Sequence, residues 1–411
     1  MDGNRRPASL ILAAATLGLV LRLAFAFGYW VGEPLTRDEQ EYLSLARSLA
    51  AGRGFVADKA ESGPGDPFGR APGYPAFLAL TGGGRAAPGQ VPASVQIAQA
   101  VVGAAGVLVL ATLAGRLAGP RAAVAAAVLG AVHPPLVALG ARAFSEAVFW
   151  PLGLAVAWAF NRMLDAPSRA APRLGLACGV LTGVGVLVRP ALLMFLPLAT
   201  AWLLWRRRPG AALACLVGAA LVVGPWTART YAHYGRLVLV ATEGGVTFWT
   251  GNHALAKGDG DLAANPDLAR ARLALRREHA GLSEEAMEPV YYRAALDWMR
   301  SDPLAWIGLE VRKVFYVVVP VGPSYTAHST RYYAASALPY LGILVLAGIG
   351  LWRAGPARGR LAGLWLLVAS AVITCLVFFP SERFRIPVID PALIVAAGAV
   401  WARRRPAGPD A

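Results

Sequence analysis

The sequence predicts an all-α polytopic membrane protein, a bundle of about ten transmembrane helices with interfacial helices in its first outer loop. Three observations predict it. Hydrophobic residues make up 56% of the chain and charged residues 15%, with a mean hydropathy of +0.51, well above what a soluble domain shows. Apolar runs recur along most of the chain, each near the roughly 20 residues that a bilayer core requires of a helix. Arginines gather in alternate short loops between these runs, the bias that sets membrane orientation.

The runs fall near 8–30, 93–115, 121–141, 145–165, 173–188, 190–205, 210–227, 331–352, 361–379 and 386–402. The fifth and sixth are short and meet at Arg189-Pro190, as a tight hairpin or as one broken element, and a further half-buried helix is expected near 303–320. The first run has the basic start of a signal peptide, yet it is too long for one and no small-residue cleavage site follows, so it is read as a retained helix. A cytoplasmic N-terminus places Arg5-Arg6, Arg116 and Arg121, Arg162 with Arg169 and Arg173, Arg206-Arg207-Arg208, Arg353 with Arg358 and Arg360, and Arg403-Arg404-Arg405 on the cytoplasmic side. Every cytoplasmic loop is then basic, and both termini are cytoplasmic. The formal net charge of +15 is scattered over these loops and forms no basic module, which argues against a nucleic-acid partner. Cys178, Cys215 and Cys375 each lie in an apolar run without metal-site spacing, so neither a disulfide framework nor a zinc site is expected.

The opposite side receives two long segments, 31–92 and 228–330, and short turns near 142–145, 189–190 and 380–385. A helix across 38–51, with apolar Tyr42, Leu45, Ala46 and Leu49, is expected to lie along the interface and to end at Gly52 and Gly54. Residues 56–69 read as a Gly, Pro and Asp loop, and Arg70-Ala71-Pro72-Gly73-Tyr74-Pro75 leads into a short helix at 76–80. Residues 251–289 are soluble-looking, with a charged helix across 265–280, and read as a mobile lid or acceptor-facing loop. The organisation expected is one membrane-embedded domain over 1–411, with no separate soluble domain. Asp38-Glu39, Arg70, Ser145-Glu146, Arg189, Arg229, Asn252 and Ser381-Glu382-Arg383-Phe384-Arg385 all fall on the outer side. Carboxylates and arginines from five loops at one membrane surface suit a lipid-linked anionic substrate with its phosphate at headgroup level.

These motifs, in this order, resemble the GT-C superfamily of membrane glycosyltransferases. The likeness rests on Asp38-Glu39 with the following Tyr42 and Ala51-Gly52-Arg53-Gly54-Phe55, on the Arg70 to Pro75 turn, and on Ser145-Glu146 and Arg189-Pro190. Pro225-Trp226 with Arg229 and Tyr231, Gly251-Asn252, and Glu382-Arg383-Phe384-Arg385-Ile386-Pro387 complete it. More narrowly the chain is similar to the bacterial branch related to protein O-mannosyltransferases and to transferases that decorate lipid A or lipopolysaccharide core. The resemblance implies a bacterial-type plasma (inner) membrane and transfer of a sugar from a polyprenyl-phosphate donor to a protein, lipid or polysaccharide acceptor on the periplasmic or extracellular face, generally with inversion. The apolar pattern stops soon after residue 402, where several members continue into an appended C-terminal region, so the acceptor class stays open.

That reaction needs a base for a weakly nucleophilic hydroxyl and cations for a leaving phosphate. Asp38 is the candidate general base, and Glu39 the candidate to orient Asp38 or the acceptor. Arg189 and Arg383 are the first candidates for the lipid phosphate, with Arg70, Arg229 and Arg385 behind them. Glu146, Tyr42, Tyr74, Asn252 and Glu382 are candidates for sugar or acceptor contacts.

Plainer readings stand beside these. Asp38-Glu39 also fits the dipole-stabilised first turn of a helix, Ser145-Glu146 fits a helix N-cap with Glu146 as structural, sugar-binding, metal or arginine partner, and Arg189 fits a snorkelling turn residue. Arg22, inside the first run, points to function or to snorkelling. His133, before Pro134-Pro135, reads as a helix-end residue. His233, His253, His279 and His328 lack metal spacing, so no metal residue is assigned and a divalent ion stays open. The alternative class is a transporter or flippase, which places polar residues at mid-bilayer in related halves. Neither pattern is present in the sequence.

Overall fold

A computed structural model describes residues 5–56, 69–87, 89–323 and 329–402. His328, Arg403-Arg404-Arg405 and most of the expected 56–69 loop lie outside them. Helix α1 (Arg5–Ala24) continues as a π-helical turn, Phe25–Tyr29, and is followed by α2 (Arg37–Ala50) and α3 (Gly73–Leu80). Then come α4 (Ala93–Ala118), α5 (Pro120–Val132), the short α6 (Pro134–Ala138), α7 (Glu146–Asp165) and α8 (Ala171–Val188). A 3₁₀ turn, Pro190–Met194, opens α9 (Phe195–Trp205), and α10 (Pro209–Tyr234) closes this half. The long segment after it folds into α11 (Gly244–Gly251), α12 (Pro266–Glu278), α13 (Glu284–Ser301) and α14 (Pro303–Val318). The chain finishes with α15 (Thr330–Ala354), α16 (Ala362–Val377) and α17 (Glu382–Gly398).

Seven helical stretches among the described residues are long and apolar enough to cross a bilayer, and an eighth is the bent pair α5 with α6. One of the seven, Thr330–Val377, is 48 residues long, too long for a single crossing at about 20 residues per span. It divides at the 3₁₀ turn Gly355–Leu361, where Gly355 takes a φ of +50°. Counting its arms separately, and adding the short apolar helix Pro190–Trp205, gives the apolar stretches the sequence predicts.

Three local features depart from expectation. The third run bends by 58° at His133, because a residue before proline is pushed out of the α region; His133 sits at φ −66°, ψ 113°. The helix expected at 76–80 starts three residues earlier, with Gly73 packed so close to α8 that a Cβ would meet the Leu187 and Val188 backbone at 2.8 Å. The soluble-looking segment has an apolar core of its own: Trp249, Leu268, Met287, Tyr291 and Leu309 form a cluster shared by α11 to α14.

Small residues set the closest crossings. Gly175, Gly179 and Gly183 repeat every four residues along α8 and face the backbone of α10 at Ala211, Cys215 and Ala219, the small-residue spacing that lets membrane helices approach closely. This fixes the end of α8, and therefore Arg189. Helix α17 is buried over most of its length and packs against α15, α7 and α5. Arg22 neither snorkels nor reaches the site. It is 1% exposed, donates to the Gly18 carbonyl and lies over the Trp150 ring.

Candidate active site

At the end of the bundle that carries α2, α3 and α11 to α14, a cleft of about 1160 Å³ opens. Its polar wall is made by residues far apart in sequence: Asp38, Glu41, Tyr42, Arg70, Ser145, Arg189, Glu243 and Arg383. Each has a local reason for its position. Thr36 begins α2 with a reciprocal capping box to Glu39, which sets the first turn and puts Asp38 one residue before Glu39 on another face. Arg189 follows α8 in an extended conformation, φ −150° and ψ 113°, imposed by Pro190, and its side chain leaves the helix towards the cleft. Arg383 lies in the first turn of α17, where the Ser381 hydroxyl accepts from the Arg383 N–H at 3.3 Å.

The charged groups form one continuous chain. Arg70 donates to Asp38 at 2.5 Å and to Glu41 at 2.6 Å and 2.9 Å, and pairs with Glu243 at 2.8 Å. The Arg383 guanidinium bridges two carboxylates, giving Nη1 to Asp38 Oδ2 and Nε to Glu146 Oε1, the latter at 2.6 Å. Glu146 also meets Arg189 at 2.9 Å, and the Ser145 hydroxyl donates to its other oxygen at 3.1 Å. Tyr42 places its hydroxyl 3.5 Å from Ser145 Oγ, with Arg70 over its ring.

Burial pushes the Asp38 carboxyl up, but Arg70 and Arg383, each both close and hydrogen-bonded, hold it well below the usual carboxylate range. Asp38 is therefore ionised throughout the physiological range. Burial raises the Tyr42 phenol, keeping it a neutral hydroxyl. Glu243 is also pushed up, by burial first and then by Asp38 and Glu41, with Arg70 opposing.

Several sequence candidates lie elsewhere. Glu39 is 1% exposed and does not share the cleft with Asp38; it accepts from Thr36 and from the Ala143 N–H, fastening α2 to the turn before α7. Ser145 precedes α7 without a side-chain cap, because its hydroxyl is committed to Glu146 and Arg189. Arg229 stacks over Trp226 outside the cleft. Arg385 turns the other way from Arg383, to Ser336, Asp390 and the Tyr340 ring. Tyr74 is fully buried and donates to Gln99. Asn252 braces α11 by donating to the Phe248 and Val377 carbonyls and accepting from Lys313. Glu382 accepts from the Tyr332 hydroxyl at 2.6 Å and lines a separate small pocket. His133 is at a helix end and also pairs with Asp390 at 3.0 Å, inside the bundle. Among the described residues no group of His, Cys, Asp or Glu is arranged to hold a metal ion.

Two members of this charged chain, Glu41 and Glu243, were not among the sequence candidates. Glu41 lies three residues after Asp38, so it shares a helix face with it, and that spacing was the available signal. Glu243 had none, since it reaches Arg70 from the far segment.

The sequence profile of the family described as dolichyl-phosphate-mannose-protein mannosyltransferase matches residues 72–228. The fold is similar to that of the archaeal oligosaccharyltransferase AglB from Archaeoglobus fulgidus, solved in complex with an inhibitory peptide and a dolichol-phosphate, at 14% identity and a TM-score of 0.57. That alignment covers 96% of this chain and 50% of the other, so the chain spans half the length of AglB. ArnT from Cupriavidus metallidurans, solved bound to undecaprenyl phosphate, aligns at 16% identity and a TM-score of 0.45, over 96% of this chain and 77% of that one. No curated protein matches the chain. The all-helical bundle shares its fold with AglB, and the family match and that fold agree with the resemblance read from the motifs.

Proposed function

We propose that this protein transfers a sugar from a polyprenyl-phosphate donor to a hydroxyl-bearing acceptor at the outer face of the membrane, with inversion at the anomeric carbon. One observation carries the reading: Asp38 and three arginines, Arg70, Arg189 and Arg383, line a single cleft at one end of a transmembrane bundle. The matched family's description, a dolichyl-phosphate-mannose-dependent transferase, and the dolichol-phosphate in the AglB complex support a lipid-phosphate donor.

The acceptor oxygen attacks the anomeric carbon from the face opposite the phosphate. A carbon–oxygen bond to the acceptor forms as the bond to the phosphate oxygen breaks, the acceptor proton passes to Asp38, and the lipid phosphate departs with the bonding pair. Asp38 is ionised and so able to accept the proton, while Arg189 and Arg383 supply hydrogen bonds to the growing phosphate charge and Arg70 adds its positive charge beside them. The cleft is far larger than a donor headgroup alone requires, leaving its α12 and α13 side for the acceptor.

Purified protein in liposomes, given a radiolabelled polyprenyl-phosphate sugar and envelope extract as acceptor, tests this. Label should move to acceptor with wild type and not with Asp38→Asn. Movement of intact lipid-linked sugar between leaflets, without transfer, would instead establish a flippase.

A further inference from the structure

Arg383 joins two carboxylates of very different character. Glu146 is 1% exposed and is held by Arg189 and Ser145 as well as by Arg383. Asp38 is on α2, its side chain 24% exposed, and faces the open cleft. Glu146 takes the Nε hydrogen of Arg383, whereas Asp38 takes one from Nη1. A two-pronged phosphate contact on the end of a guanidinium uses an Nη1 and an Nη2 hydrogen together. The end of Arg383 that a phosphate would take is the end Asp38 occupies.

From this the geometry points to an exchange, resting on the donor reading above: Asp38 is an internal competitor for the lipid phosphate on Arg383, and Glu146 is the positioning residue that keeps Arg383 and Arg189 aimed at the seat. Donor binding then does two things in one step. The phosphate takes Nη1, and Asp38 loses one of its two arginine partners, so its basicity rises as the sugar arrives. A carboxylate held by two guanidiniums is a poor base. The exchange makes base strength conditional on an occupied donor site.

The two carboxylates therefore affect phosphate binding with opposite sign. Titrating a polyprenyl phosphate into the full-length protein in nanodiscs, with intrinsic tryptophan fluorescence as readout, should show Asp38→Asn binding more tightly than wild type, by about tenfold for removal of one competing charge at this distance. Glu146→Gln should bind more weakly by a similar factor, with Glu146→Asp recovering part of the loss. In Asp38→Asn/Arg383→Gln the gain should vanish, because the competition is for Arg383. Equal or weaker binding by Asp38→Asn, or a gain that survives loss of Arg383, overturns the exchange while leaving the donor site standing. Absence of binding by wild type and Asp38→Asn alike overturns the donor reading and the exchange with it. A fold defect would weaken all variants together, and a thermal-shift series on the same samples separates that case.

Discussion

Replacing Arg70 with Gln tests the electrostatics of the base directly. Arg70 is the common partner of Asp38, Glu41 and Glu243, and with Arg383 it offsets the burial that would otherwise raise Asp38. A close opposite charge typically lowers a carboxyl by about 1–3 pH units, so losing Arg70 should raise Asp38 towards the ordinary carboxyl range, with Arg383 still holding it down. The sign follows from the role. The base acts when ionised, so activity falls as pH drops through its pKa. In wild type that pKa is depressed, and kcat/KM should stay flat down to about pH 4. In Arg70→Gln the acidic limb should move upward by about 1–3 pH units and begin to show at the acid end of the range, on top of a roughly hundredfold lower plateau from losing one cation beside the phosphate.

The assay is transfer from a polyprenyl-phosphate sugar between pH 3.5 and 8 at constant ionic strength. Glu243 also loses its partner in this variant, so Arg70→Gln/Glu243→Gln is the control: the limb should remain if it belongs to Asp38. Superimposable profiles for wild type and Arg70→Gln would refute the claim that Arg70 sets the state of the base. The same linkage acts on stability. A depressed carboxyl stabilises the fold above its unfolded pKa of about 3.9 and loses that contribution as pH falls through the folded value; Arg70→Gln should therefore lower neutral-pH stability and flatten its acid dependence.

Arg229→Ala should leave transfer within about twofold, since its guanidinium lies over Trp226 and not in the cleft; a hundredfold loss would place it at the phosphate. Gly251→Ala should lower the apparent Tm, because a Cβ there would overlap the Phe378 carbonyl oxygen, an overpacking cost of about 1–3 kcal/mol; an unchanged Tm would show that α11 and the end of α16 are free to separate. Arg360→Cys should react with an impermeant thiol reagent only from the cytoplasmic side and Arg236→Cys only from outside, in a background lacking the native cysteines. The reverse pattern would invert the proposed topology.

The helices were legible because a bilayer demands length and apolarity, and both can be counted along a chain. Their bends were partly legible: Pro134-Pro135 and Arg189-Pro190 marked the breaks, but not whether each would kink a span or end it. The side-chain directions were not. Arg383 and Arg385 are two residues apart, about 200° around a helix, so once α17 starts at Glu382 only one of them can face the cleft. Asn252 and Tyr74 looked chemical because polar groups are scarce in such a chain. Their hydrogen bonds to Val377 and Gln99 show another use of that scarcity, since a buried polar group with a fixed partner locks one helix crossing against alternatives.

The adjacent acids at the start of α2 illustrate why composition finds a site sooner than it finds the residues in it. Neighbours on a helix are about 100° apart, so a tandem acidic pair cannot present both carboxylates to one ligand. Here the division of labour follows from Thr36. Its hydroxyl needs a carboxylate three residues on to close the capping box, which commits Glu39 to the backbone and to Ala143. Asp38 is thereby turned to the other side, where its helix-face partner is Glu41, and both rest on Arg70. The acidic pair of the cleft is therefore Asp38 with Glu41. The Thr-x-x-Glu pattern that decides this was present in the sequence, and it fixes the direction of Asp38 by assigning its neighbour a structural role.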